Sequence, residues 1–408
     1  MKRVRRARNV RLAVVAGLFA STATVTAAAA GPDPLWIDQQ GGSSYDQFLA
    51  VTIDPANNIV AAGQIDNGDP WIVKYNSAGA YQWQARLGKS GFDAANGVAT
   101  DGNGNIFVSV YYCCSSRDGW VVKYAPSGGK PLWTKKIGTS STDLSTGVAA
   151  DAAGNIYVSG YTAGVLGGVR YGSDLDEDAW VAKLNAAGAI LWIRQIGTDQ
   201  DDQANAVAVD KQGNVIIAGA THGPLDGADP KATDYDPWLA KYDGNGNLLW
   251  KEQIVGKTQA SADAIALDGS GNILIAGTSN GRIVPGPYGG FDAWVAKYTP
   301  SGGRSWIREY TLPPSDYGRG VAADAAGNVY LAGRSDISTR AKTFLVKYNK
   351  VGALQWESVI DALGEDDGGN AVAVDKAGNA YLAGFTYGAL DGSNKGRSDA
   401  ILAKFPPN

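Results

Sequence analysis

Short apolar runs alternate along the chain with clusters of Gly, Asn and Asp, and the same order of runs returns again and again. The punctuation is most regular as Asp-x-x-Gly-Asn before an apolar segment, beginning at Asp101, Asp151, Asp210, Asp268, Asp324 and Asp375. A seventh copy, Asp54-Pro55-Ala56-Asn57-Asn58, has Asn57 where the others have glycine. Asn is the other residue that tolerates positive φ, so the same turn is predicted there. The starts lie 47 to 59 residues apart, the length of a four-stranded blade. Each copy reads as four short strands. A small-residue strand such as Ala206-Val207-Ala208-Val209 passes through the turn into a second, beginning at Val215. A variable loop follows, then a third strand of the kind Trp180-Val181-Ala182-Lys183-Leu184, and a Gly-containing turn leads to a fourth, Leu191 to Ile196. Runs of this length bounded by turn residues are antiparallel hairpins.

Seven such units predict an all-β protein, a single seven-bladed β-propeller with repeats at about 41–88, 89–138, 139–197, 198–256, 257–311, 312–362 and 363–405. The Ala/Val strand belongs nearest the axis, where seven strands crowd together. The series Trp83, Trp133, Trp192, Trp250, Trp306 and Trp356 suits the wider space between blades. The last copy stops after its third strand at Phe405, while Pro34 to Gln39 upstream resembles a fourth strand without a blade. The N-terminal strand is therefore expected to complete the last blade and remove two open edges.

Composition agrees, with 54 Gly, 12 Trp and 19 Tyr against one Met. The first thirty residues differ in kind: Lys2, Arg3, Arg5, Arg6, Arg8 and Arg11 precede an apolar stretch from Leu12 to Ala27, and Ala28 and Ala30 form a small-x-small pattern before Gly31. This reads as a secretory signal over 1–30, placing residues 31–408 in the periplasm, on the cell surface or in the medium, with no membrane insertion of the mature chain. Taking those six basic residues from 36 leaves 30 positive charges against 40 negative, a net near −10. Such a balance argues against nucleic acid and fits a monomer.

The run Gly154-Asn155-Ile156-Tyr157-Val158-Ser159-Gly160 with Asp178-Ala179-Trp180-Val181-Ala182-Lys183 resembles the bacterial SBBP β-propeller repeat family, and variants of both recur in every copy. The resemblance implies the fold and an exported or surface role. It carries no catalytic residue.

Four features bear on chemistry. Asp46, Asp93, Asp143, Asp202, Asp316 and Asp367 stand eight residues before the turn Asp, broken at Ala260. Asp69, Asp118, Asp178, Asp236, Asp292 and Asp399 precede the third strand, with Thr343 as the exception. Both sets are expected on the face carrying the fourth-to-first and second-to-third connections. Positions repeated in nearly every blade are more economically blade-building carboxylates that accept backbone N–H groups than cation sites. The runs Asp101 to Asn105 and Asp243 to Asn247 have the alternate oxygens of a Ca²⁺ loop but lack its distal glutamate and fall where hairpin turns are required, so no cofactor is expected, with Ca²⁺ the alternative. Cys113 and Cys114 admit a vicinal disulfide or free thiols.

The loop between second and third strands is long in the third, fourth, fifth and seventh copies, over 161–177, 221–235, 278–291 and 385–398. It brings Tyr171, Asp174, Asp176, Asp226, Tyr235, Tyr288 and Tyr387 to one face as ligand-binding candidates. With His222 as the sole histidine, a His-built triad or metal site has too few parts. The sequence thus favours a non-catalytic platform for a glycan, peptide or protein. The alternative is a carboxylate-dependent glycan hydrolase or lyase on the same face.

Overall fold

A computed structural model describes residues 29–408, apart from 67, 89–92, 113–117, 174–175, 226–233, 255–258, 282, 284–289, 313, 338–339, 363–364, 392–393 and 408. Residues 1–28 of the 1–30 leader and the Cys113–Cys114 pair lie outside the described residues. Within them the chain is all-β, folded as seven four-stranded antiparallel blades, and no helix is long and apolar enough to cross a membrane. In the fourth blade the strands are Asp202–Val209, Val215–Thr221, Asp236–Tyr242 and Leu248–Gln253, hydrogen-bonded in that order. The first, small-residue strand lies innermost, so that alanines meet where room is least.

The seventh blade is completed from the other end of the chain. Trp36–Gln40 pairs antiparallel with Asp399–Phe405, in register from Trp36 opposite Lys404 to Gln40 opposite Ala400. Packing shows the same closure. Every neighbouring pair of blades shares one apolar cluster, and the cluster joining Tyr381, Ala383 and Leu402 to Phe48, Ala61 and Trp71 seals the last blade against the first. Each fully buried side chain of that size contributes about 1.5–3 kcal/mol, so no seam between blades is weak by composition.

Polar staples run outside these clusters. Lys123 Nζ and Trp133 Nε1 both donate to the Ala186 carbonyl in the third-to-fourth turn of the next blade, at 3.0 and 3.2 Å. Lys183 and Trp192 do the same to Gly244, at 3.0 and 3.2 Å. Each tryptophan lies flat against that turn's glycine: a Cβ on Gly128, at φ +78°, would come within 2.5 Å of the Trp83 ring. Across the closing seam Trp36 meets Gly79 in this way and Lys404 reaches the Ser77 carbonyl at 3.2 Å. The last blade has no such turn to offer Trp356. Residues Ala29–Ala30 pair beside it as a short parallel strand, and the Pro407 carbonyl accepts from Lys347 at 2.7 Å.

The Asp-x-x-Gly-Asn turns are self-contained. In the second blade Asp101 Oδ1 accepts from the amides of Asn103 and Asn105, each at 2.9 Å, while Oδ2 accepts from the Asn105 side chain at 2.7 Å. Asn57 takes φ +68°, as its place in the first turn requires.

Candidate functional site

The two carboxylate rings resolve into wedges between blades. Asp46, Asp93, Asp143, Asp202, Asp316 and Asp367 are all buried. Their oxygens cap the connection that enters the strand: Gly42 N donates to Asp46 at 2.6 Å, Thr139 N to Asp143 at 2.6 Å, Thr198 N to Asp202 at 2.5 Å and Ala362 N to Asp367 at 2.7 Å. Burial drives four of them toward the neutral form, Asp46 upward, Asp202 to about 6 and Asp316 and Asp367 to about 7. Asp178 abuts Asp202 across Gly197, where a Cβ would lie 2.2 Å from Asp178 Oδ1 and 3.0 Å from Asp202 Oδ2, so only glycine passes. The oxygens of Asp101 and Asp243 are likewise engaged by their own turns. Among the described residues no group of three or more His, Cys, Asp or Glu converges as metal ligands.

The third-strand Asp has a second task. Gln195 Nε2 bonds Asp178 at 2.6 Å and the Gly164 carbonyl at 3.0 Å, while its Oε1 accepts from Leu166 N at 2.9 Å. Gln253 joins Asp236 to Leu225, and Gln39 joins Asp399 to Gly388 and Leu390 in the same manner. Three of the four long loops therefore open with a Thr-x-Gly-x-Leu anchor, Leu225 being buried in the cluster of the third and fourth blades, and the fifth blade's loop opens with Ser279-x-Gly281-x-Ile283, where Ile283 N donates to Glu309 at 2.9 Å. Only the residues beyond that anchor vary freely.

Among the described residues the loop candidates stand in three separate places. Tyr171 donates its amide to Asp178 Oδ2 at 3.1 Å, and Asp176 Oδ2 accepts from Ser173 N at 2.7 Å, both within the third blade's loop. Tyr387 edges a depression of about 310 Å³ with Arg340, Glu365 and Asp366, by the sixth and seventh blades. Tyr235 borders a larger cavity of about 510 Å³ between the fourth and fifth. Asp174, Asp226 and Tyr288 lie outside the described residues.

The larger cavity exists because three bulky positions of the repeat are small here. Ala220 and Thr278 stand where the second and third blades carry Tyr111 and Tyr161, and Ala260 replaces the ring Asp. Its walls come from residues just ahead of the third strands, Tyr235 and Phe291. Their carbonyls accept from the next blade's first strand, Ala260 N at 2.7 Å and Asp316 N at 2.6 Å, which fixes the backbone and leaves the side chain free to differ. Each ring is backed by another. Tyr235 stacks on His222 at 5.0 Å and 20°, with its hydroxyl on Asp201 at 3.2 Å, and Phe291 stacks on Tyr317 at 5.4 Å and 30°.

The inner wall comes from a feature not legible as a motif. Every innermost strand carries a one-residue β-bulge, at Leu49, Asn96, Thr146, Asn205, Asp263, Arg319 and Asn370, always five residues before the turn Asp. Four of these bulge side chains donate to the adjacent blade: Asn96 to Ser145 O at 3.2 Å, Thr146 to Ala204 O at 2.6 Å, Asn205 to Ala262 O at 3.1 Å and Asn370 to Phe48 O at 2.9 Å. Asp263 cannot donate and instead faces the cavity, reachable from solvent yet walled by protein. Burial pushes its carboxyl up to about 6, against the opposing pull of Ser261, Arg319 and Asn205. The signal that finds this site is variation. Gln203, Asn205, Gln259, Ser261, Asp263 and Phe291 stand at columns that differ from blade to blade, and a search for what repeats passes over them.

Three stretches, residues 132–167, 191–226 and 306–338, match the SBBP β-propeller repeat. A WD repeat-containing protein of Acanthamoeba polyphaga mimivirus is 23% identical over an alignment covering 90% of this chain and 32% of that protein, so the chain spans about a third of that relative's length. Among solved structures, an ulvan lyase of polysaccharide lyase family PL25 superposes with a TM-score of 0.55 at 13% identity, covering 91% of this chain and 95% of the lyase. The Pan2 WD40 domain of Neurospora crassa superposes with a TM-score of 0.54 at 10% identity, covering 93% and 98%. At such identities the likeness is one of fold, shared by a lyase and a WD40 domain alike.

Proposed function

We propose that the chain is an exported, non-catalytic binding or scaffolding platform that recognises a glycan, peptide or protein through the face bearing the second-to-third and fourth-to-first connections. One observation carries this reading: the repeated carboxylates are consumed as wedges and turn caps, while the columns that vary converge on a cavity lined mainly by neutral polar and aromatic side chains. The leader with its basic head and small-x-small end supports export. Asp263 favours a second reading, a carboxylate-dependent glycan hydrolase or lyase, because an acid held near neutrality in a cavity is suited to proton transfer.

Incubation of the mature protein with a panel of polysaccharides separates the two. Retention on the polymer without new reducing or unsaturated ends is the expected outcome. Turnover that disappears in Asp263→Asn would overturn the platform in favour of the enzyme.

A further inference from the structure

We propose that the cavity between the fourth and fifth blades binds a neutral segment of a carbohydrate chain. This rests on the platform reading and names its ligand class. The cavity's size, about 510 Å³, lies within the range of roughly 300–1,000 Å³ typical of small-molecule sites. Gln203, Asn205, Gln259, Ser261 and Thr278 present amides and hydroxyls along it, and Tyr235 and Phe291 supply aromatic surface.

Three ligand classes fit poorly. An apolar group would desolvate the amides and hydroxyls of the lining that protein does not already engage, Gln259 and Thr278 above all, since Gln203 and Asn205 already donate to Glu177 at 2.9 Å and Ala262 O at 3.1 Å, at a cost of about 1–3 kcal/mol for each group left unpaired. An anion would meet Asp263 with no Lys or Arg among the described lining residues. A cation would be opposed by the Arg319 guanidinium, whose charge already acts on Asp263 from the next bulge of the ring. A neutral polyol answers both halves of the lining: its hydroxyls donate to and accept from the amides, and its C–H faces lie on the rings. The rings are held in advance, Tyr235 by His222 and Asp201 and Phe291 by Tyr317, so little ordering is left for binding to perform. The site is local to two blades because only there do Ala220, Thr278 and Ala260 leave room.

Isothermal titration of the full mature chain with cellohexaose, xylohexaose, mannohexaose, laminarihexaose and chitohexaose, and with hexagalacturonate as the charged control, tests this directly. The expected result is binding of at least one neutral oligosaccharide, weakened about tenfold, or about 1.4 kcal/mol, by Gln259→Ala and by Phe291→Ala and unchanged by Arg340→Ala at the other depression. Gln259 is exposed, so its variant keeps the fold even if Phe291→Ala does not. No neutral sugar bound while a peptide is retained would overturn the sugar and leave the platform. Sugar binding indifferent to both cavity variants but lost in Tyr387→Ala would overturn the cavity alone. Cleavage of a bound oligosaccharide would overturn the platform reading itself.

Discussion

Replacing Asp316 by asparagine should stabilise the propeller above neutral pH, although an acid recurs at that place in most blades. Asp316 is fully buried, accepts the Leu312 amide, and lies near Asp292; burial first, and like charge after it, push its carboxyl up to about 7 from 3.8. A folded-state value above the unfolded one means that the folded chain binds the proton more tightly. The stabilisation is complete below about pH 4 and is lost as pH rises through 7. Three pH units at about 1.4 kcal/mol each bound the effect at about 4 kcal/mol, and relaxation around the charge reduces it to about 2–4 kcal/mol at pH 8. Asparagine keeps an oxygen for the Leu312 amide and never ionises. Urea unfolding at pH 5, 6, 7 and 8 should show wild-type stability falling with pH, a flatter profile for Asp316→Asn, and a variant more stable than wild type at pH 8. Wild-type stability rising between pH 5 and 7, or a variant weaker at pH 8, would refute the reasoning.

The opposite sign holds for the turn acid Asp54: burial alone would raise it, but Lys74 and Asn58 outweigh burial and hold the carboxyl low, so Lys74→Ala, which strands a buried carboxylate 2.8 Å from its lost partner, should cost about 3–5 kcal/mol in urea unfolding at pH 7. Asn57→Gly should be neutral or slightly stabilising, whereas Asn57→Ala, forced to φ +68°, should lose about 1 kcal/mol in the same assay. Gln253→Ala unties Leu225 from Asp236, and limited proteolysis should cut the fourth blade's long loop about tenfold faster, equivalent to about 1.4 kcal/mol of local opening.

What the sequence disclosed follows from repetition. Asn57 could be read as a left-handed turn residue because six glycines occupy its column, and Trp36 as a fourth strand because Trp83, Trp133 and Trp192 define what such a strand looks like. The buried acids were legible as blade-building devices for the same reason. The cavity was hidden by the bulge. The register shift that sets Asn205 and Asp263 apart shows only when each inner strand is paired with its neighbour, and their columns vary too much from blade to blade to read as a motif. Gln195, Gln253 and Gln39 escaped notice because their partners lie across a hairpin and within a loop, at separations no local pattern records. Tyr235 belongs to a long loop that repetition marks, whereas Phe291 shows in the sequence only as the last residue of one, in a column that varies from blade to blade.

Every placement of a side chain on a face depends on the ring being closed by Trp36–Gln40 against Asp399–Phe405. Hydrogen exchange followed by mass spectrometry measures this directly on the mature protein. Amides of 36–40 should be protected as strongly as those of 399–405 and should open with them in a single step as urea is added. Exchange of 36–40 within seconds, while 399–405 stays protected, would show the last blade standing without its fourth strand and would contradict the architecture.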